Sequence, residues 1–173
     1  FYRRQRQMCI RDSHQSDHNF ISAFMPYLYP SGVSEIVRFG LLGFAMSRYS
    51  GCWVGLKIVS DVADSGRTYD TSIENEEIIV PSGAFLGEYK DLPRNILFSD
   101  TPREQDFRLQ RAKGFAAQEF VRANQIDKVI WKNNNAKIGI ISAGKSYNDV
   151  LEAFRWLGID AVSYTHLTLP TIN

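Results

Sequence analysis

The sequence predicts an α/β chain with parallel strands. Apolar stretches of strand length alternate with segments of helix length. The run "CWVGLKIV" is apolar on both faces, as strands covered by helices are, and the C-terminal part reads strand, tight turn, helix.

The two ends of the chain read differently from its middle. Residues 1–13, "FYRRQRQMCIRDS", carry four arginines and no apolar run of leader length, so they fail the layout of a secretory signal. "MCIRDS" and, from Val162, "VSYTHLTLPT" read as translated sequencing-adapter scars. Residues 1–13 and 162–173 are therefore expected to be non-native, with 14–161 an internal fragment of a longer protein.

Within that fragment, "FMPYLYP" is a short strand closed by Pro30. Ser31 is the expected N-cap of the helix in "GVSEIVRFGLLGFAMSRYSG", with Arg48 in its last turn and Gly51 as its stop. A helix so apolar needs burial on several sides, and with "CWVGLKIV" it makes one α/β crossover. Residues 60–100 form an inserted or peripheral segment, polar at first, with a short strand expected in "IIVPSGAF". Thr101, Pro102 and Glu104 then spell a capping box with proline at the first helical position. Phe107, Ala112, Phe115, Ala116 and Phe120 give that helix its apolar face. After the polar joint "KNNNAK", Ile138, Ile140 and Ile141 call for a buried strand, and Ser146 with Asp149 supplies the cap of a last helix.

Charge and cysteine content exclude several classes. The whole chain has 20 basic and 19 acidic side chains, but Arg3, Arg4, Arg6, Arg11 and Asp12 lie in the first scar, leaving 16 against 18. A near-neutral fragment without a Lys/Arg stripe has no electrostatic footprint for nucleic acid or an anionic membrane. No apolar run is long enough to span a bilayer. Cys52 alone remains, so neither a disulfide framework nor a four-cysteine metal or iron-sulfur site can be built from the fragment, and Cys52 is expected to be buried.

"GIISAGKS", residues 139–146, fits the letters of a phosphate-binding loop. Two of the four residues between its glycines are isoleucines, however, where such a loop needs small or polar residues whose N–H groups turn inward. The segment reads instead as strand, turn and capped helix, whose free N–H groups can hold an anion without naming a ligand.

"HQSDHNFISAFMPYLYPSGVSEIVRFGLLGFAMSRYSGCWVGLK" and "GIISAGKSYNDVLEAFRWLGID", with "DTPREQDFRLQRAKGFAAQEFVRANQIDKVI" between them, resemble the large fused indolepyruvate ferredoxin oxidoreductases, within the 2-oxoacid:ferredoxin oxidoreductases. The resemblance implies an oxidative decarboxylation of aryl 2-oxo acids to acyl-CoA with ferredoxin as electron acceptor. The cofactors it implies are thiamine diphosphate with Mg2+, 4Fe-4S clusters and coenzyme A. It places 14–128 in the later part of a thiamine pyrimidine-side domain and 129–161 at the start of a transketolase C-terminal-like domain. The activating glutamate, the diphosphate-Mg domain and the cluster cysteines are then expected outside this chain, in the remaining domains of the same cytoplasmic enzyme, a homo-oligomer. A noncatalytic α/β interaction module and a nucleotide-binding enzyme using 139–146 are the alternatives.

One stretch carries possible site chemistry. By the resemblance "HQSDH" follows a cofactor-facing loop, which puts His14, Gln15 and Asp17 at the rim of a cleft and makes His14 or His18 a candidate proton donor or substrate partner. The plainer reading is that Gln15, Ser16 and Asp17 cap a short helix with both histidines at the surface. Lys57 and Asp61 stand where ligands of open α/β sheets bind, or else form a surface ion pair.

Overall fold

The computed structural model describes residues 16–68, 77–131 and 138–159, together with the backbone of Thr165–Leu167. In chain order these form α1 (Asp17–Ser22), β1 (Tyr27–Leu28), α2 (Val33–Ser50), β2 (Gly55–Leu56), α3 (Ser60–Ala63), a kinked 3-10 stretch (Ala84–Tyr89), α4 (Pro102–Arg108), a π-helical turn (Leu109–Lys113), α5 (Gly114–Ala123), β3 (Gly139–Ile141), α6 (Lys145–Leu157) and β4 (Thr165–Leu167). Helix predominates and strand is scarce, a mixture compatible with the α/β class.

The crossover is present: β1 and β2 pair in parallel across α2, with Tyr27 opposite Gly55 and Leu28 opposite Leu56. It is far shorter than "CWVGLKIV" suggests. Pro26 and Pro30 bracket the partner strand and have no N–H to donate. The ladder is confined to bonds such as Gly55 N–H to the Pro26 carbonyl and Lys57 N–H to the Leu28 carbonyl, each 2.9 Å. Cys52 is buried, as expected, and burial pushes its thiol pKa up. Trp53 is 83 % exposed, and Leu56 and Ile58 are also exposed, so the run is not covered on both faces.

α2 and α5 pack together as the core. Leu28, Phe39, Leu42, Met46, Ala117, Phe120 and Val121 form its buried cluster. Gly51 stops α2 at a left-handed φ of 72°. Any Cβ added there would run into the Arg94 carbonyl oxygen, so only glycine serves. The start of α2 departs from expectation. Ser31 lies before the N-cap, Gly32, and instead donates both its N–H and its hydroxyl to the Glu35 carboxylate, at 2.8 Å each.

The capping box at Thr101 and Glu104 is complete. The apolar face that follows is only partly the expected one. Ala112, Ala116 and Phe120 are fully buried, whereas Phe107 and Phe115 are exposed, because the π-helical turn rotates the frame between α4 and α5. Arg108, at the end of α4, pairs with Asp100, both side chains almost fully buried.

Residues 77–100 lie against this core without forming the expected strand. Ile79 pairs with a side chain rather than a ladder: its N–H donates to Asn124 Oδ1 at 2.9 Å and its carbonyl accepts from Asn124 Nδ2 at 2.8 Å. Arg94 lies over the Tyr49 ring and donates to the Tyr49 carbonyl, while the Tyr49 hydroxyl donates to Glu119 at 2.7 Å. Burial and the Glu119 carboxylate push the Tyr49 pKa up to about 12.

The C-terminal unit is the strand, turn and helix that the sequence indicates, with β3 and β4 parallel. β4 lies in the stretch read as a scar. Ile138 and Ile141 are exposed, which a buried strand would not allow. Ser146 sits inside α6; the N-cap is Gly144, without a side-chain capping bond.

Candidate functional site

A cavity of about 220 Å³ opens beyond the carboxyl ends of β1 and β3, the usual place for a ligand in an open α/β sheet. Three parts of the chain build it. β1 continues into Tyr29 and Ser31, and the first turns of α2 add Arg38 and Phe39. The segment after α5 supplies Ile126, Asp127, Lys128 and Ile130. The turn Ser142–Ala143–Gly144 and Tyr147 of α6 close the remaining side. Gly144 permits that closure. Its φ of 58° lies in a region that residues with side chains rarely adopt. An added Cβ would also collide with the Tyr29 ring, so glycine is required twice over. Asn148 Nδ2 donates to the Ser31 carbonyl at 2.7 Å and fixes α6 to the β1–α2 connection.

Two buried oxygens on this cavity have no hydrogen-bond partner, Ser142 Oγ and Asp127 Oδ2. Ser142 is 9 % exposed. Burial pushes the Asp127 pKa up to about 7. That is far above an ordinary aspartate, since desolvation disfavours the charged form and no hydrogen bond offsets it. The cavity thus joins a carboxyl group poised near neutrality, an unpartnered hydroxyl and the amino terminus of a 13-residue helix. Arg38 and Lys128 line the same space, which is otherwise largely aliphatic and aromatic. Neither Asp127 nor Ser142 is among the candidates that the sequence offers. The only signal at Asp127 is a lone acid between apolar neighbours in "QIDKVI".

His14 and Gln15 lie outside the described residues. His18 is exposed on α1. Asp17 is engaged: one carboxylate oxygen accepts from the Tyr27 hydroxyl at 2.5 Å and the other from Lys57 Nζ at 2.6 Å. Burial pushes the Asp17 pKa up, and the bonds from Lys57 and Tyr27 outweigh it, so the carboxyl is held below its ordinary value. Lys57 Nζ also lies 4.7 Å from the centre of the Tyr29 ring. Asp17 and Lys57 therefore brace Tyr27 and Tyr29, two walls of the cavity, from behind. Asp61 faces Lys145 at 3.7 Å.

The "GIISAGKS" segment has the geometry of a strand and a helix. Ile140 and Ile141, two of the four residues between the glycines, belong to β3, and Lys145 binds Asp149 at 2.9 Å one turn along α6. Hydrogen bonding to Asp149 raises the Lys145 pKa. A lysine held along its own helix does not reach over the preceding turn.

Residues 128–173 match the family model described as the indolepyruvate oxidoreductase domain. The match supports the indolepyruvate oxidoreductase family. It covers β3, the glycine turn, α6 and β4, and extends through the C-terminal stretch read as a scar. No curated protein and no solved structure matches the chain. Among the described residues no helix is long and apolar enough to cross a membrane.

Proposed function

We propose that this chain is a segment of an oxidoreductase that oxidatively decarboxylates aryl 2-oxo acids of the indolepyruvate type to acyl-CoA, with ferredoxin as electron acceptor. The family match over 128–173 carries this reading. The in-order resemblance of residues 14–160 to the large fused enzymes supports it, and so does the β1–α2–β2 crossover. In this reading 14–128 belongs to a thiamine pyrimidine-side domain and 129–161 opens a transketolase C-terminal-like domain.

Thiamine diphosphate, Mg2+, 4Fe-4S clusters and coenzyme A are the groups such an enzyme uses, and they supply the decarboxylation and electron transfer. The described residues do not fit the thiamine diphosphate–Mg2+ site. Among them no three His, Cys, Asp or Glu side chains gather as a metal site, and both carboxylate oxygens of Asp17 are engaged, by Lys57 and Tyr27. The reaction is accordingly assigned to other domains, with this chain contributing framework and a cavity wall.

Sequencing genomic DNA on both sides of residues 14–161 and expressing the recovered gene tests the proposal. The expected product reduces ferredoxin with indolepyruvate only when coenzyme A and thiamine diphosphate are present. A gene lacking a cysteine-rich cluster region, or a product without that activity, overturns it.

A further inference from the structure

Three features among the described residues lie outside the family reading. Phe44, Trp53 and Phe98 are exposed, but nothing in the structure says what would cover them. A second cavity, lined by Leu41, Glu77, Ile79 and Asn124, has its Asn124 side chain already bonded to the Ile79 backbone. The cavity at the α6 amino terminus is different, because two of its buried oxygens, on segments far apart in the chain, have no partner: Asp127 Oδ2 and Ser142 Oγ.

Only groups that are not already engaged can shape a ligand's polar head. Arg38 and Lys128 have partners of their own, and Glu35 accepts from the Ser31 N–H and hydroxyl. What remains is the Asp127 carboxyl and the Ser142 hydroxyl. Ser142 is 9 % exposed, and leaving such a hydroxyl unpaired forfeits its hydration without return. Neither sign of charge suits this pair. An ionised Asp127 repels an anion, and the positive end of the α6 dipole, directly after the 142–144 turn, repels a cation. An uncharged head with an acceptor and a donor side by side suits both ends. Its acceptor meets the hydroxyl and the first N–H groups of α6, which lie beyond the reach of intrahelical acceptors, and its donor meets the carboxyl oxygen. Leu28, Phe39, Met46, Val121 and Ile126 supply an apolar wall around that head. An apolar cavity of about 150 Å³ is enough for benzene. The cavity of about 220 Å³ therefore takes one ring with a small polar head.

We propose that this cavity binds a small uncharged carboxamide with an apolar body, its carbonyl oxygen accepting from Ser142 Oγ at the α6 amino terminus and its N–H donating to Asp127 Oδ2. Acceptor and donor are both needed. A ketone of the same shape leaves the Asp127 oxygen without a donor. A carboxylate or an amidinium brings a charge that one end of the site rejects. The site is independent of the oxidoreductase reading.

The test uses the full chain on a soluble carrier, titrated by calorimetry with four probes that share one ring: benzamide, benzoate, benzamidine and acetophenone. Benzamide is expected to bind saturably with one site per chain, at least fivefold more tightly than the other three. Ser142→Ala removes one hydrogen bond and should weaken benzamide about fivefold, while Ser60→Ala, which is not part of the cavity lining, leaves it unchanged. Amide shifts of residues 142–145 in the wild-type chain on adding benzamide supply a readout that needs no variant. Benzoate, benzamidine or acetophenone binding as tightly as benzamide, an unaltered affinity in Ser142→Ala, or no saturable binding by any probe, as for a cavity filled by water alone, overturns the proposal.

Discussion

Replacing Asp127 with asparagine keeps the shape of the side chain and removes its charge. In the folded chain burial displaces the Asp127 pKa from 3.8 to about 7. Such a displacement is worth about 4 kcal/mol at about 1.4 kcal/mol per pH unit. Solvent reaching the partly exposed side chain screens this to about 2 kcal/mol. The sign follows from proton linkage. The folded state binds the proton more tightly than the unfolded state, so this contribution to stability is fully present below 3.8 and is lost as pH rises through about 7. Tyr27, Tyr29, Tyr147, Glu35, Arg38 and Lys128 line the same cavity and are identical in both proteins, so the comparison isolates residue 127. Urea unfolding from pH 4 to pH 8 measures the difference. By the same screened linkage, Asp127→Asn is expected to be more stable than wild type by about 2 kcal/mol at pH 8, with the advantage vanishing toward pH 4. A carboxyl NMR titration of the wild-type chain should place the Asp127 midpoint near 7. A stability difference independent of pH, or a midpoint within the ordinary aspartate range, refutes the desolvation argument.

Gly144→Ala forces a side chain into a conformation suited to glycine and against the Tyr29 ring. It should cost on the order of 3 kcal/mol or prevent docking of α6, read as a lower thermal midpoint. Thr101→Ala removes the capping-box acceptor for the Glu104 N–H. It should cost about 1 kcal/mol in the same assay, and no change would show α4 to be held by packing alone. Wild type and Lys145→Ala alike are expected to show no Mg2+-dependent ATP or GTP binding by equilibrium titration; micromolar binding that disappears in the variant would restore the nucleotide loop. Trp53→Ser and Phe44→Ser remove two of the largest exposed apolar side chains and should raise the soluble yield of the chain, measured by centrifugation after expression.

Sequence by itself determined what neighbouring residues decide among themselves. Thr101, Pro102 and Glu104 carry all the atoms of a capping box within one turn, and Gly51 alone satisfies the left-handed end of α2. The order strand, turn, helix at 139–157 was legible for the same reason, since β-branched isoleucines, a glycine and an amphipathic segment follow one another directly. The nearly apolar run Cys52–Val59 shows the limit of such signals. Its propensity is for strand, yet a ladder extends only as far as its partner, and that partner is bracketed by two prolines. Tertiary structure alone decided the cavity. Asp127 is an ordinary acidic residue until burial in the folded chain strips water from it, and the Asp17–Lys57 bond joins residues 40 positions apart. Desolvation is a property of surroundings assembled from distant segments. No pattern of near neighbours in a sequence encodes it, and for that reason the Asp127 and Ser142 oxygens became visible only in three dimensions.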